Sequence, residues 1–348
     1  MFDKRSWIRL PRNVLVGRGV LSETADAVGE LHLAGTPLIV TSPTPRRLAA
    51  ESVAEQFDGC PMVTVETASF AEVKRVIDEA EDCEAGFLVG VGGGKVIDIA
   101  KMASDELGMG FVSVPTAASH DGIVSGRGSV PEGDTRHSVA AEPPLVVVAD
   151  TGIVADAPWR LTTAGCADII SNYTAVKDWQ LAHRLKNVEY SEYAGALSRM
   201  TAEMLVDNAD SIRPGLEESA WLVIKALVSS GVAMSIAGSS RPASGAEHLI
   251  SHQLDRIAPG TALHGHQVGV ASVVTEYLHS GDMGRWQNVH DALGAIGAPT
   301  TAEELGHSPE QFVEAMTTAH EIRDRYTILG DGVSEEAAIE AATVTGVI

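Results

Sequence analysis

Between Ala243 and Gly269 the chain reads ASGAEHLISHQLDRIAPGTALHGHQVG, and four of its 12 histidines, His248, His252, His264 and His266, fall in this one stretch. Imidazoles are borderline donors suited to zinc and its first-row neighbours, so such a cluster points to a divalent cation. His248 and His252 stand four apart in a helix-patterned run and share one face, and His264 and His266 return after a loop. A catalytic zinc site takes three protein ligands and keeps one position open, so a carboxylate must come from elsewhere. Asp168, within TTAGCADIISNYTAVKDW, is the candidate. Among small and apolar neighbours an isolated carboxylate is costly to bury, and a cation offsets that cost. The residues alone do not choose among the four histidines. Histidines bonded to partners within the fold would account for the same run.

A second constellation lies in FLVGVGGGKVIDIAK, where Gly92, Gly93 and Gly94 precede Lys95, Val96, Ile97 and Asp98. Consecutive glycines let a backbone approach a ligand closely, and the helix that follows offers its amides and dipole to a pyrophosphate. The pattern is neither G-x-G-x-x-G, because Lys95 holds the third glycine position, nor a Walker A loop. A structural turn, with Asp98 and Lys101 as a solvated i,i+3 pair, is the competing reading. The next loop, VPTAASHDGIVS, supplies Thr116, Ala117, Ala118, Ser119, His120, Asp121 and Ser125. Its hydroxyls suit a dinucleotide and its carboxylate a substrate hydroxyl, at the strand ends where open α/β sheets bind ligands.

The elements that must position these residues divide at about residue 154. PLIVTSP (37–43), PMVTVET (61–67), AGFLVGVGGG (85–94), FVSVPT (111–116) and PLVVVAD (144–150) read as buried strands spaced by crossover lengths, which predicts a parallel Rossmann-like sheet. Residues 122–142 read as a hairpin excursion. Beyond Ala155 the pattern is helical, with Thr301-x-x-Glu304 and Ser308-Pro-x-Gln311 as capping-box starts. The expected organisation is an α/β dinucleotide-binding domain over 1–154 and an all-α metal- and substrate-binding domain over 155–348, with a cleft between them.

Composition narrows the function classes. With 25 basic and 47 acidic side chains the net charge is -22, which argues against nucleic acid. Only seven of the basic residues are lysine, and the acids are dispersed over a folded surface. A halophilic cytosol, where multimolar salt shortens the Debye length to about 3 Å, accounts for this. Cys60, Cys83 and Cys166 are odd in number and widely spaced, so they suggest neither a disulfide framework nor a thiolate metal site. No uninterrupted apolar run approaches a membrane span, and MFDKRSWIRLPRN carries charges where a signal peptide is apolar. A cytoplasmic protein without membrane insertion is expected.

Together the GGGK-x-x-D loop, PTAASHDGIVS, GCADIISN, SSRPASGAEHLISH and ALHGHQVG resemble the archaeal sn-glycerol-1-phosphate dehydrogenases. These belong to the superfamily of iron-dependent alcohol dehydrogenases, glycerol dehydrogenases and dehydroquinate synthases. The likeness covers essentially the whole chain. It implies a dehydroquinate synthase-like fold, a Zn²⁺ ion, a homo-oligomer, and NADH- or NADPH-dependent reduction of dihydroxyacetone phosphate to the glycerol 1-phosphate backbone of archaeal phospholipids. By position it makes Asp168, His248 and His264 metal ligands. Asp121, Asp168 and His252 become substrate contacts, with His252 and Asp121 catalytic. Gly92 to Asp98, Thr116 to Ser119 and Ser125 become cofactor contacts. His266 departs from a family His-Gly-Glu pattern, and the His-Gly pair aligns with His264. A phosphorylated substrate also needs a cation, for which Arg241 in SSRPASG is expected. Thr41 and Ser42, with Arg46 and Arg47 beyond, stand where a carboxylate would exclude a 2′-phosphate, so NADPH should be accepted. The rival readings within the superfamily are a glycerol dehydrogenase and a dehydroquinate synthase-like cyclase. The scarcity of lysine speaks against the cyclase.

Overall fold

The structure, a computed structural model, describes residues 7–132 and 135–348. The first six residues of the charged N-terminal stretch and two at the hairpin tip lie outside the described residues. Chain contacts give two compact units, one of residues 1–162 with 214–235, the other of 163–213 with 236–348. A single cut at 154/155 would leave out the return of 214–235 to the first unit.

In the first unit six strands, β1 (Asn13–Gly17), β2 (Pro37–Thr41), β3 (Met62–Thr64), β4 (Phe87–Gly92), β5 (Gly110–Pro115) and β8 (Val146–Asp150), form a sheet in the order β1-β8-β5-β4-β2-β3. Every pairing in it is parallel. Leu38, Val40 and Leu88 pack on one side with helices α1 (Phe70–Asp82) and α2 (Gly94–Leu107), while Ile39, Val89, Val112 and Val148 pack on the other. Burial of both faces is why these strands read as continuous apolar runs rather than alternating ones. The hairpin expected over 122–142 is β6 (Arg127–Glu132) antiparallel to β7 (Thr135–Ala140). β1, absent from the sequence reading, is a half-exposed edge strand held only by β8.

The remaining long helices are α3 (Trp159–Lys186), α4 (Glu192–Asp207), α5 (Glu217–Ala237), α6 (Ala246–Ile257), α7 (His264–Ser280), α8 (Trp286–Ile296), α9 (Pro309–Thr318) and α10 (Glu335–Val344). Among the described residues no strand follows β8. Ser308 and Gln311 form the expected capping box on α9. Thr301 and Glu304 make the hydrogen bonds of a capping box but open no helix; the chain turns and reaches Gly306 at φ +85°. Among the described residues one helix, α5, is long and apolar enough to cross a membrane, against the expectation that no apolar run approaches a span. Its Ser230 bonds Asp121 and its Gly231 backs onto Val124, which makes it a packed helix of the first unit.

Candidate metal centre

In the second unit Asp168 of α3, His248 of α6 and His264 at the start of α7 place one potential ligand atom each within 4.8 Å of one another. The His248 Nε2 to Asp168 Oδ1 distance is 3.8 Å, near the roughly 3.4 Å edge between two ligands about 2.1 Å from one tetrahedral ion. Two small residues permit this convergence. A Cβ on Gly265 would strike the Ala164 backbone, and one on Gly269 would strike Ala167, so α7 lies close along α3. Asp168 is 4% exposed. Burial, then Arg323 and Arg325, pushes His248 down to about 3, which keeps its imidazole neutral and able to donate a lone pair. Two neutral imidazoles and a carboxylate fit a divalent cation with net charge near +1.

The histidine alternatives separate here. His264 faces the cluster, whereas His266, two residues on, turns to the Thr163 hydroxyl at 2.9 Å. His252, one turn after His248, stacks beside His264 with ring centroids 5.7 Å apart and lies outside the ligand group.

The glycine loop and the following loop are brought together in the first unit. Thr116 N–H donates to the Gly92 carbonyl at 3.0 Å, and the His120 ring fills the space a Cβ on Gly94 would need. His120 Nδ1 accepts the Gly122 N–H. Gly93 caps α2, whose first turn begins at Gly94 and contains Lys95, Val96 and Ile97. Lys95 donates to the Glu66 carbonyl. Thr116, Ala117, Ala118 and Ser125 are buried, and Ser119 is half-buried. Asp98 and Lys101 are not the solvated pair of the competing reading. Lys101 is fully buried and donates to the Gly122 and Arg127 carbonyls at 2.5 and 2.6 Å, while Asp98 takes the Ser129 N–H. Lys101 thus ties the Asp121 loop to α2. Burial pushes the Asp121 carboxyl up, against the Ser230 hydroxyl that donates to it at 2.8 Å. The Thr41 hydroxyl is committed to the Val91 carbonyl, and no acidic residue follows it before Glu51, which pairs with Arg46.

Arg241 is half-buried, and its guanidinium reaches the Tyr326 carbonyl at 3.5 Å. Two cations that sequence reasoning missed stand nearby. Arg323 donates to Ser244 Oγ at 2.7 Å, and Arg325 to the Ser244 carbonyl and to Ser240 Oγ. The only signal in the chain is IRDRY itself, two arginines in a protein short of cations. Their influence on His248 puts positive charge beside the ligand cluster.

A family model described as iron-containing alcohol dehydrogenase matches residues 15–158. The chain is 74% identical over 352 residues, spanning 100% of both sequences, to a protein of Haloarcula marismortui named glycerol-1-phosphate dehydrogenase NAD(P)+. It is 75% identical, again over 100% of both, to one of the same name from Natronomonas pharaonis. Among solved structures it resembles a probable glycerol dehydrogenase from Sinorhizobium meliloti with a TM-score of 0.80 at 20% identity, over 98% of each chain. That last likeness speaks to the fold alone.

Proposed function

The chain belongs to the NAD(P)+-linked glycerol-1-phosphate dehydrogenases, and from that membership we propose that it reduces dihydroxyacetone phosphate to sn-glycerol 1-phosphate at a zinc site formed by Asp168, His248 and His264. The convergence of those three side chains carries the reading. When bound, the cation supplies Lewis acidity toward a carbonyl oxygen, and the reduced nicotinamide supplies a hydride.

The chain's own residues do the rest. Gly93, where a side chain would meet nothing, leaves room for the cofactor's pyrophosphate at the α2 N-terminus, with Gly92 and Gly94 on either side of it, and the 116–119 loop and Ser125 complete the cofactor contacts. Asp121, held by Ser230 and by the loop that Lys101 anchors, receives a substrate hydroxyl. His252 gives a proton to the C2 oxygen as the carbonyl becomes an alcohol. Arg241, with Arg323 and Arg325, meets the phosphate, which a chain of net charge -22 would otherwise repel. NADPH is accepted beside NADH because Thr41 and Ser42 stand where a carboxylate would repel the 2′-phosphate. The product is the glycerol backbone of archaeal phospholipids, made in the cytoplasm of a halophile by a homo-oligomer.

The test is a side-by-side assay of dihydroxyacetone phosphate and dihydroxyacetone with NADH and NADPH in molar salt. The reading requires the phosphorylated ketone to be the better substrate and activity to vanish on chelation and return with zinc. A preference for the free ketone would move the assignment to a glycerol dehydrogenase.

A further inference from the structure

On α6, His248, Ser251, His252 and Asp255 fall at i, i+3, i+4 and i+7 and so form one stripe, while Gln267 stands one turn after His264 on α7. Between the two helices runs a chain of hydrogen bonds whose donors and acceptors can be assigned in order. Gln267 Nε2 lies 3.1 Å from Asp255 Oδ1. An ionised carboxylate only accepts, so the amide nitrogen faces Asp255 and the amide oxygen faces the other way. That oxygen, Gln267 Oε1, takes the Ser251 hydroxyl at 2.7 Å. Ser251 has one proton, and it is used there. Its oxygen, 3.0 Å from His264 Nδ1, is left to accept. His264 therefore carries its proton on Nδ1 and its lone pair on Nε2.

The other imidazole reaches the same state by a shorter route. Glu247, 0% exposed, accepts the Gly245 N–H and His248 Nδ1–H on one oxygen, at 2.5 and 2.9 Å, which leaves the His248 lone pair on Nε2. Ser251 and Gln267 are likewise 0% exposed, so water does not compete for these bonds. We infer that the Asp255–Gln267–Ser251 relay is a positioning device: it fixes the His264 tautomer and ring orientation before any cation arrives, as Glu247 does for His248. Gln267 and Ser251, both fully buried, act through His264.

This inference rests on the reading of Asp168, His248 and His264 as ligands, and the experiment separates the two. The variants are S251A, which removes the acceptor, Q267M, which frees the Ser251 proton to point at His264, and S251T, which keeps a hydroxyl. Histidine-selective ¹⁵N spectra of the chelated protein report the tautomer with no cation present, and chelator competition reports zinc affinity. The native and S251T proteins should show the Nδ1–H form of His264. S251A should show a mixture, and Q267M should gain the Nε2–H form. Zinc should bind about 10–100-fold more weakly to S251A and Q267M than to native protein, with S251T within about threefold. An unchanged His264 tautomer in both S251A and Q267M, with native zinc affinity, overturns the relay. A native protein that binds no zinc contradicts the ligand reading instead, and the tautomer spectra still decide the relay.

Discussion

Gly265 of α7 rests against the backbone of Ala164 in α3, and there is no space between them for a methyl group. That contact sets how near His264 comes to Asp168, which lies one turn further along α3 from Ala164. Gly265→Ala should therefore cost about 1–3 kcal/mol in stability, as overpacking does, and weaken zinc binding as well. Denaturant unfolding of the chelated protein and chelator competition measure the two effects. A variant with native affinity would show that helix spacing does not govern the cluster.

His252 stacks on His264 but lies outside the ligand group. Replacing it with alanine should lower kcat by about 10²–10⁴, the usual contribution of a positioned proton donor, while zinc content stays at one per chain. Loss of the zinc in that variant would mean that His252 is a ligand and that the division of roles is wrong.

The arginines around Ser240 and Ser244 should matter to the phosphate and little to the ketone. Removing a charge-assisted hydrogen bond costs about 1.5–3 kcal/mol, or roughly 10–150-fold in kcat/KM. Arg241→Ala should lose that much toward dihydroxyacetone phosphate, chiefly through KM, with activity toward dihydroxyacetone nearly unchanged. Arg323→Gln is the companion variant. Equal losses on both ketones would assign these cations to the fold.

His307 contributes to the acid sensitivity of the second unit. It is 2% exposed, and burial lowers its pKa from 6.5. The folded state thus binds fewer protons than the unfolded chain, so its contribution is fully present above about pH 6.5 and is lost as pH falls through the lower folded value. His307→Leu should flatten the stability profile below that pH while leaving neutral stability equal or higher. Parallel unfolding curves for the two proteins from neutral to acid pH would contradict this.

The sheet was legible because its inner strands are buried on both faces and spell unbroken β-branched runs, as Val146 to Val148 do. β1 escaped notice because an edge strand with exposed Val14 lacks that pattern. The glycine loop and the histidine stripe were legible for the same reason: spacing along one element is local information. Which of His264 and His266 faces the cluster was legible only through the family resemblance, since residues two apart on a helix point nearly opposite ways and spacing alone does not choose between them. Arg323 and Arg325 were invisible because their partners, Ser240 and Ser244, lie about eighty residues earlier in the chain. The competing reading of Lys101 as solvated fails because its i,i+3 spacing from Asp98 says nothing of the β6–β7 hairpin that covers it.

The stereochemistry of the product tests the central claim most directly. Dihydroxyacetone phosphate is reduced to completion with NADH in molar salt, and the glycerol phosphate is offered to a dehydrogenase specific for the sn-3 isomer. The account predicts a product inert to that enzyme, formed only while zinc is bound. A product that it oxidises completely, or full turnover after the cation has been stripped, would contradict the account.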